Sequence, residues 1–369
     1  MNITGTSGVD TLNGTALADV IEGLDGADTI NGGAGDDTIR AGAGNDVIIQ
    51  DQFGSSGDTI DGGLGTDIVE FRTSATPIDT VLGTLTSYTM TAANALVSIE
   101  RIQFASTAGH GVQVAINTAA AAALTRATGG AGRDILTIAT GNGPGAFTVP
   151  TLSTLNWDLA STNAWEHTGD LVMLSSAAAI GSPVVLTAAS GVAFMQMLAG
   201  GADNDVLTGS ANADLFDASL GGDVVQAGDG NDAILLINSA APLAGGGFGP
   251  LSTNSGDGGV YDGGAGTDVL SIGGPVTLQA TLIGIEGIQL LAPVVPAMAG
   301  AAYQPQAVLT IDSEHLAMLP ANTFFAGAGL VVVRLDNYDS FNGSQFTFRA
   351  GAQVGFAIVG GYGDGVTLT

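Results

Sequence analysis

The sequence predicts an all-β fold: a parallel β-roll or β-helix solenoid, with β-rich segments between its repeats and a few short helices. Three observations carry this. First, Gly5 to Ile49 divides without a gap into five nine-residue units, GTSGVDTLN, GTALADVIE, GLDGADTIN, GGAGDDTIR and AGAGNDVII. Second, every unit holds Asp at its sixth position (Asp10, Asp19, Asp28, Asp37, Asp46) and a large aliphatic residue at its eighth (Leu12, Ile21, Ile30, Ile39, Ile48). Third, the chain has 369 residues, 58 of them glycine, and is 45% hydrophobic, which suffices for a continuous core threaded by tight turns.

The unit can be read physically. Glycine at positions one, two and four permits the positive-φ, close-approach backbone of a tight turn. The tail supplies a short strand with one inward side chain. Two units make one coil, so carboxylates on one side recur every second unit: Asp10, Asp28 and Asp46 in one row, Asp19 and Asp37 in the other. Stacking brings row members to roughly 5 Å, the strand spacing of a sheet. Carboxylates at that spacing repel unless a cation lies between them, and a hard ion taking several carboxylate and carbonyl oxygens is calcium.

Further units follow the first array. FGSSGDTID keeps Asp58 and Ile60, GGLGTDIVE is complete with Asp67 and Val69, and a single GGAGRDILT at 129–137 places Asp134 at the metal position. A second unbroken array covers Gly200 to Leu235 with Asp205, Asp214, Asp223 and Asp232, pairing Asp205 with Asp223 and Asp214 with Asp232; GGAGTDVLS then adds Asp268. The expected organisation is an N-terminal roll (1–70), a β-rich segment with the isolated unit (71–199), a second roll with a loop excursion at 238–258 (200–271) and a C-terminal β-rich segment (272–369). Thr118 to Ala127 suits a short helix capped by Asn117 or Thr118. LVSIERIQF after GGLGTDIVE has a counterpart in LIGIEGIQLL after GGAGTDVLS, and VAINTAAAAALT in VLTIDSEHLAML, so the chain reads as two divergent copies of one cassette.

The pattern G-G-x-G-x-D-x-U-x, in tandem and in register, resembles the RTX (repeats-in-toxin, hemolysin-type calcium-binding) family. The resemblance implies a parallel β-roll, several Ca2+ ions held by the sixth-position aspartates, and type I secretion through an uncleaved C-terminal signal, here about 351–369. The Lys-free, Ala/Thr/Gly-rich composition is similar to that of RTX surface-layer proteins.

Charge, cysteine and targeting signals narrow the function. Thirty-five acidic residues against seven basic ones, all arginine, give a net charge of -28. That argues against nucleic acid as a partner. Cysteine is absent, which removes disulfides and thiolate metal sites. The segment MNITGTSGVD has neither a basic region nor an apolar core, so a cleaved secretory peptide is not expected. The uncharged run Gly287 to Ile311 contains Pro293, Pro296 and Pro305 and reads as strand and loop, leaving no transmembrane segment.

No catalytic constellation is visible. H-E-x-x-H, G-x-S-x-G and a lysine-bearing phosphate loop are all missing, and His110, His167 and His315 read as structural or surface histidines. Trp157 and Trp165 read as core anchors. The expectation is therefore a non-enzymatic, extracellular or cell-surface calcium-binding structural protein. Its partner is itself, in a layer, filament or matrix, and a cell-surface anchor is compatible with this. The alternatives are an exported RTX enzyme or effector with its site in 139–199, and a calcium-stiffened adhesin module.

Overall fold

A computed structural model describes residues 1–51, 57–73, 78–80, 83–92, 95–139, 145–147, 156–157, 170–175, 183–190, 195–201, 203–237, 258–291, 307–335, 340–341, 343–360 and 367–368. These form a parallel β-solenoid, as the repeats require. In the first array the odd and even units separate onto two sheets. One sheet stacks Asn2–Thr4, Val20–Asp25, Thr38–Gly44, Thr59–Gly65 and Leu96–Val97. The other stacks Thr11–Asn13, Thr29–Asn31, Val47–Gln50, Ile68–Arg72, Arg101–Ala105, Arg126–Thr128 and Asn156–Trp157. The pairing is parallel and in the predicted register, with Leu12 opposite Ile30, Ile30 opposite Ile48 and Ile48 opposite Val69.

The eighth-position residues make the core. Ile21, Ile30, Ile39, Ile48, Ile60 and Val69 are at most 1% exposed, which alternation along a strand with one inward face demands. Leu12, in the first coil, is only partly buried because its strand lies at the end of its sheet. The same core runs into the later coils through Phe71, Phe104, Phe216, Tyr261 and Phe325, the largest fully buried side chains.

From Gly83–Met90 onward a second pair of sheets carries the solenoid. A 15-stranded sheet includes Gly111–Asn117, Ile135–Ala139, Leu171–Ser175, Met195–Ala199, Asp214–Asp217, Ala233–Ile237 and Val269–Gly273. A 6-stranded sheet includes Val184–Thr187, Val206–Thr208, Val224–Gln226 and Val260–Asp262. Strands such as Ile135–Ala139 and Ala233–Ile237 have four successive buried residues, and a second apolar cluster of Leu85, Ile135, Leu171, Met195, Leu215 and Leu235 packs on the far face of the large sheet. These strands, covered on both faces, read as continuous apolar runs.

The cassette repeat seen in the sequence is repeated in the pairing. Leu96–Val97 joins Thr59–Gly65 and Arg101–Ala105 joins Ile68–Arg72; correspondingly Thr281–Ile283 joins Val260–Asp262 and Gly287–Leu290 joins Val269–Gly273. In the first copy Gly111–Asn117 lies beside Gly83–Met90 and leads into helix α1 (Thr118–Ala123). In the second, Ala307–Asp312 lies beside Pro275–Leu278 and leads into helix α2 (Ser313–Leu316). Both helices have a side-chain cap: Asn117 accepts from the Ala120 amide and Asp312 from the His315 amide. Helix α1 stops at Ala123, four residues short of the predicted end, because Arg126–Thr128 pairs with Arg101–Gln103. Tertiary pairing there overrides alanine's helix propensity.

The loop 238–257 and most of 139–199, with Trp165 and His167, lie outside the described residues. So do 292–306 of the proline-bearing run, whose flanks are strands as expected. Trp157 ends the strand Asn156–Trp157, which pairs with Arg126–Thr128. Among the described residues no helix is long and apolar enough to cross a membrane.

Candidate metal centre

The repeat turns place their sixth-position aspartates in stacked rows. Asp19, Asp28, Asp37, Asp46, Asp58, Asp67, Asp134, Asp205, Asp214, Asp223, Asp232 and Asp268 are all at most 2% exposed, and Asp10, in the first coil, is half-buried. The strand that follows each Asp fixes its position, since the eighth-position side chain must enter the core.

Successive row members are joined by a hydrogen bond that the sequence did not suggest. The amide of Asp10 donates to Oδ1 of Asp28 at 2.8 Å, Asp28 to Asp46 at 2.7 Å, and Asp46 to Asp67 at 2.9 Å. On the other side Asp19 donates to Asp37 and Asp37 to Asp58, each at 2.8 Å. The second array repeats this, from Asp205 to Asp223 at 2.8 Å and from Asp214 through Asp232 to Asp268 at 2.7 and 2.8 Å. The predicted rows therefore exist, and Asp58, Asp67 and Asp268 extend them.

Two glutamates end these ladders. The Asp67 amide donates to Glu100 Oε2 and the Asp268 amide to Glu286 Oε2, both at 2.9 Å. They are the acidic residues of the repeated I-E-x-I segment, so the signal was present in the sequence without its meaning being read. Asp134 belongs to a separate ladder, accepting from the Val112 amide and donating its own to Asp170 at 2.7 Å. Sequence reasoning missed Asp170; its only mark is the D-x-U spacing in DLVML.

The second carboxylate oxygen differs from turn to turn. In Asp28, Asp37, Asp46, Asp58, Asp67, Asp232 and Asp268, Oδ2 is buried and has no hydrogen-bond partner. A buried anionic oxygen without a donor costs several kcal/mol of solvation, roughly, unless a cation compensates it. In Asp10, Asp19 and Asp214, Oδ2 instead accepts from both the amide and the hydroxyl of the unit's second residue, Thr6, Thr15 and Ser210 respectively, at 2.5–2.9 Å, although Asp214 keeps its Oδ1 buried without a partner. Asp205 accepts from the Gly201 amide, and Asp134 from the Gly130 amide and the Ser106 hydroxyl.

Electrostatics agree with a cation-seeking site. Burial pushes the Asp67 carboxyl up to about 6, Asp268 to about 7 and Asp232 to about 9, with neighbouring carboxylates adding to the shift and the ladder amides opposing it. Asp19 runs the other way. The N-terminal ammonium of Met1 against its Oδ1, then the Thr15 amide and hydroxyl, hold it below the ordinary value.

The donor set fits calcium. Among the described residues no group of three or more His, Cys, Asp or Glu side chains converges on one point. A bound ion would therefore combine one or two carboxylate oxygens with turn carbonyls, the all-oxygen coordination that calcium accepts. Carbonyls are close at hand: a Cβ on Gly42 would lie 1.9 Å from the Leu24 carbonyl oxygen, and a Cβ on Gly264 1.9 Å from that of Gly228. The two described histidines are engaged elsewhere, His110 with the Thr86 hydroxyl and His315 with the Asp312 carboxylate.

Comparison with known families gives the same class. The model of the RTX calcium-binding nonapeptide repeat (4 copies) matches residues 4–39, 13–48, 54–71 and 196–225. The chain thus carries RTX repeats of the calcium-binding kind, and these point to an exported, extracellular-type protein. No curated protein matches it.

Proposed function

We propose that this is a secreted, non-enzymatic structural protein that folds on meeting extracellular calcium and then associates with copies of itself into a surface layer, filament or matrix. The observation that carries the reading is the set of buried, partnerless carboxylate oxygens along the rows, because they make the coils incomplete until a cation arrives. Asp28, Asp37, Asp46, Asp58, Asp67, Asp232 and Asp268 would hold calcium with the carbonyls of their turns. The ion would supply positive charge there and no chemistry beyond it.

Association is favoured by two features. Asn2–Thr4 and Thr11–Asn13 are the outermost strands of their sheets, and an open sheet edge is a template for another strand. Val9 and Leu17 stand 79% and 74% exposed on nearby turns, adding apolar surface close to that edge. Export follows the type I route in this reading, with 351–369 as the signal, so that folding waits for the calcium-rich exterior.

Electron microscopy of the purified chain, before and after calcium is added, tests the proposal. Ordered sheets or fibres that appear only with calcium support it. Dispersed monomers in both conditions refute the assembly half and favour a calcium-stiffened adhesin module or an exported enzyme.

A further inference from the structure

Eleven of the thirteen aspartate turns are of two kinds, and the backbone separates them. Seven of the thirteen have an Oδ2 buried without a partner; Asp58 is one of them, and the second residue of its unit lies outside the described residues. In the other six, Asp28, Asp37, Asp46, Asp67, Asp232 and Asp268, the unit's second residue has positive φ: Leu24 at 79°, Gly33 at 89°, Gly42 at 113°, Gly63 at 93°, Gly228 at 103° and Gly264 at 82°. In the five whose Oδ2 is hydrogen-bonded, those of Asp10, Asp19, Asp134, Asp205 and Asp214, the second residue has no positive φ and its amide donates to that oxygen. The two conformations exclude each other at these turns: either the second amide closes the carboxylate, or the turn opens and leaves the oxygen for something else. Asp223 belongs to neither kind, since Ser219, the second residue of its unit, lacks positive φ and donates its amide to Asp217.

The split has an order along the chain. Each array begins with a coil of two closed turns, Asp10 with Asp19 and Asp205 with Asp214; open turns follow from Asp28 in the first and, after Asp223, from Asp232 in the second. In three of these four a Thr or Ser hydroxyl adds a second donor, occupying the oxygen that a cation would otherwise need. Consensus glycine does not mark the difference. Gly130 and Gly201 occupy the second position of closed turns, and Leu24 that of an open one.

We infer that calcium loads only the open turns, and that the closed first coil of each array is a metal-independent cap on which the calcium-dependent coils are built. Asp10, Asp19, Asp205, Asp214 and Asp134 then contribute to folding through their turn hydrogen bonds and hold no ion. The inference rests on the calcium reading above and divides its candidate residues into two classes that the repeat motif treats alike.

The experiment counts calcium ions per intact chain at saturation, by native mass spectrometry on dilute monomer. Wild type is compared with Asp28→Asn, Asp19→Asn and Thr15→Val. Asp28→Asn should bind at least one ion fewer, while Asp19→Asn and Thr15→Val bind the wild-type number. Thr15→Val should also lower the urea midpoint by a similar amount in calcium and in chelator, as the loss of a cap not connected to metal requires. Asp232→Asn against Asp205→Asn, whose two oxygens accept from the Val184 and Gly201 amides, repeats the comparison in the second array, should a first-array variant fail to fold. Equal ion losses from the open-turn and closed-turn variants overturn the inference alone. A wild-type chain that binds no calcium overturns the calcium reading and this inference with it.

Discussion

Gly44 and Gly8 hold the same place in the nonapeptide, the fourth, and the account assigns them opposite sensitivities. Gly44 sits at φ 154°, and a Cβ there would lie 1.6 Å from the Gly26 carbonyl oxygen. Its turn is paired with the coil on either side, including the 2.8 Å bond from the Gly26 amide to the Ala43 carbonyl and the Gly44 to Gly65 register. Gly44→Ala must therefore accept a backbone conformation costing about 1–3 kcal/mol and move the turn, weakening one or two hydrogen bonds at about 1 kcal/mol each. The sum is a loss of about 2–5 kcal/mol. Gly8 lacks positive φ, and its nearest contact would be the Thr6 hydroxyl at 3.8 Å. Gly8→Ala is thus expected to be neutral or to gain about 0.4–1 kcal/mol through the unfolded chain. Urea unfolding in saturating calcium, followed by circular dichroism, measures both. Midpoints for the two variants that agree within error would show that the stacked turns do not impose the strain assigned to them.

Other expectations follow from single contacts. Glu100→Ala removes the acceptor of the Asp67 amide and should cost about 1–3 kcal/mol, whereas Glu100→Gln keeps an acceptor, removes a charge that raises the Asp67 carboxyl, and should stabilise the chain in chelator; denaturation midpoints of the pair decide this. Asn117→Ala deletes the cap of α1 and a 2.7 Å tie to the Ala92 carbonyl, for a loss of about 1 kcal/mol that Asn117→Asp should partly spare. The raised carboxyls set a pH dependence. With folded values near 6 for Asp67, 7 for Asp268 and 9 for Asp232, stability in chelator is fully present below the unfolded carboxylate range and falls as pH rises through those values. Acidifying from pH 9 to pH 5 should therefore raise the chelator midpoint, and calcium binding near pH 7 should release protons, seen by calorimetry in buffers of different ionisation heat; a midpoint that falls over that window contradicts the burial argument.

The parts of this fold that were legible are those set by periodicity. A nine-residue register with Ile or Val at the eighth place can bury those side chains only in a stacked coil, so Ile21 through Val69 and the aspartate rows followed from spacing. What the sequence concealed is decided by backbone torsion and long-range contact. Leu24 takes positive φ where a glycine would be expected, because its turn is held between coils, paired with Gly42. Whether an aspartate is closed by its own turn depends on that torsion and not on the motif letters. Glu100 accepts from a residue 33 positions earlier, a distance no local pattern encodes. The end of α1 was misplaced for a related reason: alanines favour a longer helix, and the strand partner of Arg126–Thr128 lies outside the window in which propensity is read.

The central claim is that the coils are incomplete without a cation. It is tested most directly by thermal unfolding of the intact chain, followed by circular dichroism, in saturating calcium and in chelator. Mass action adds about 2.7 kcal/mol for each independent site when calcium is a hundredfold above its dissociation constant, so several open turns acting together should raise the midpoint well beyond error. In chelator much of the β signal should be lost or should melt early. Identical spectra and identical midpoints in the two conditions would contradict the account, because the partnerless oxygens of Asp28, Asp37, Asp46, Asp58, Asp67, Asp232 and Asp268 would then be tolerated without any ion.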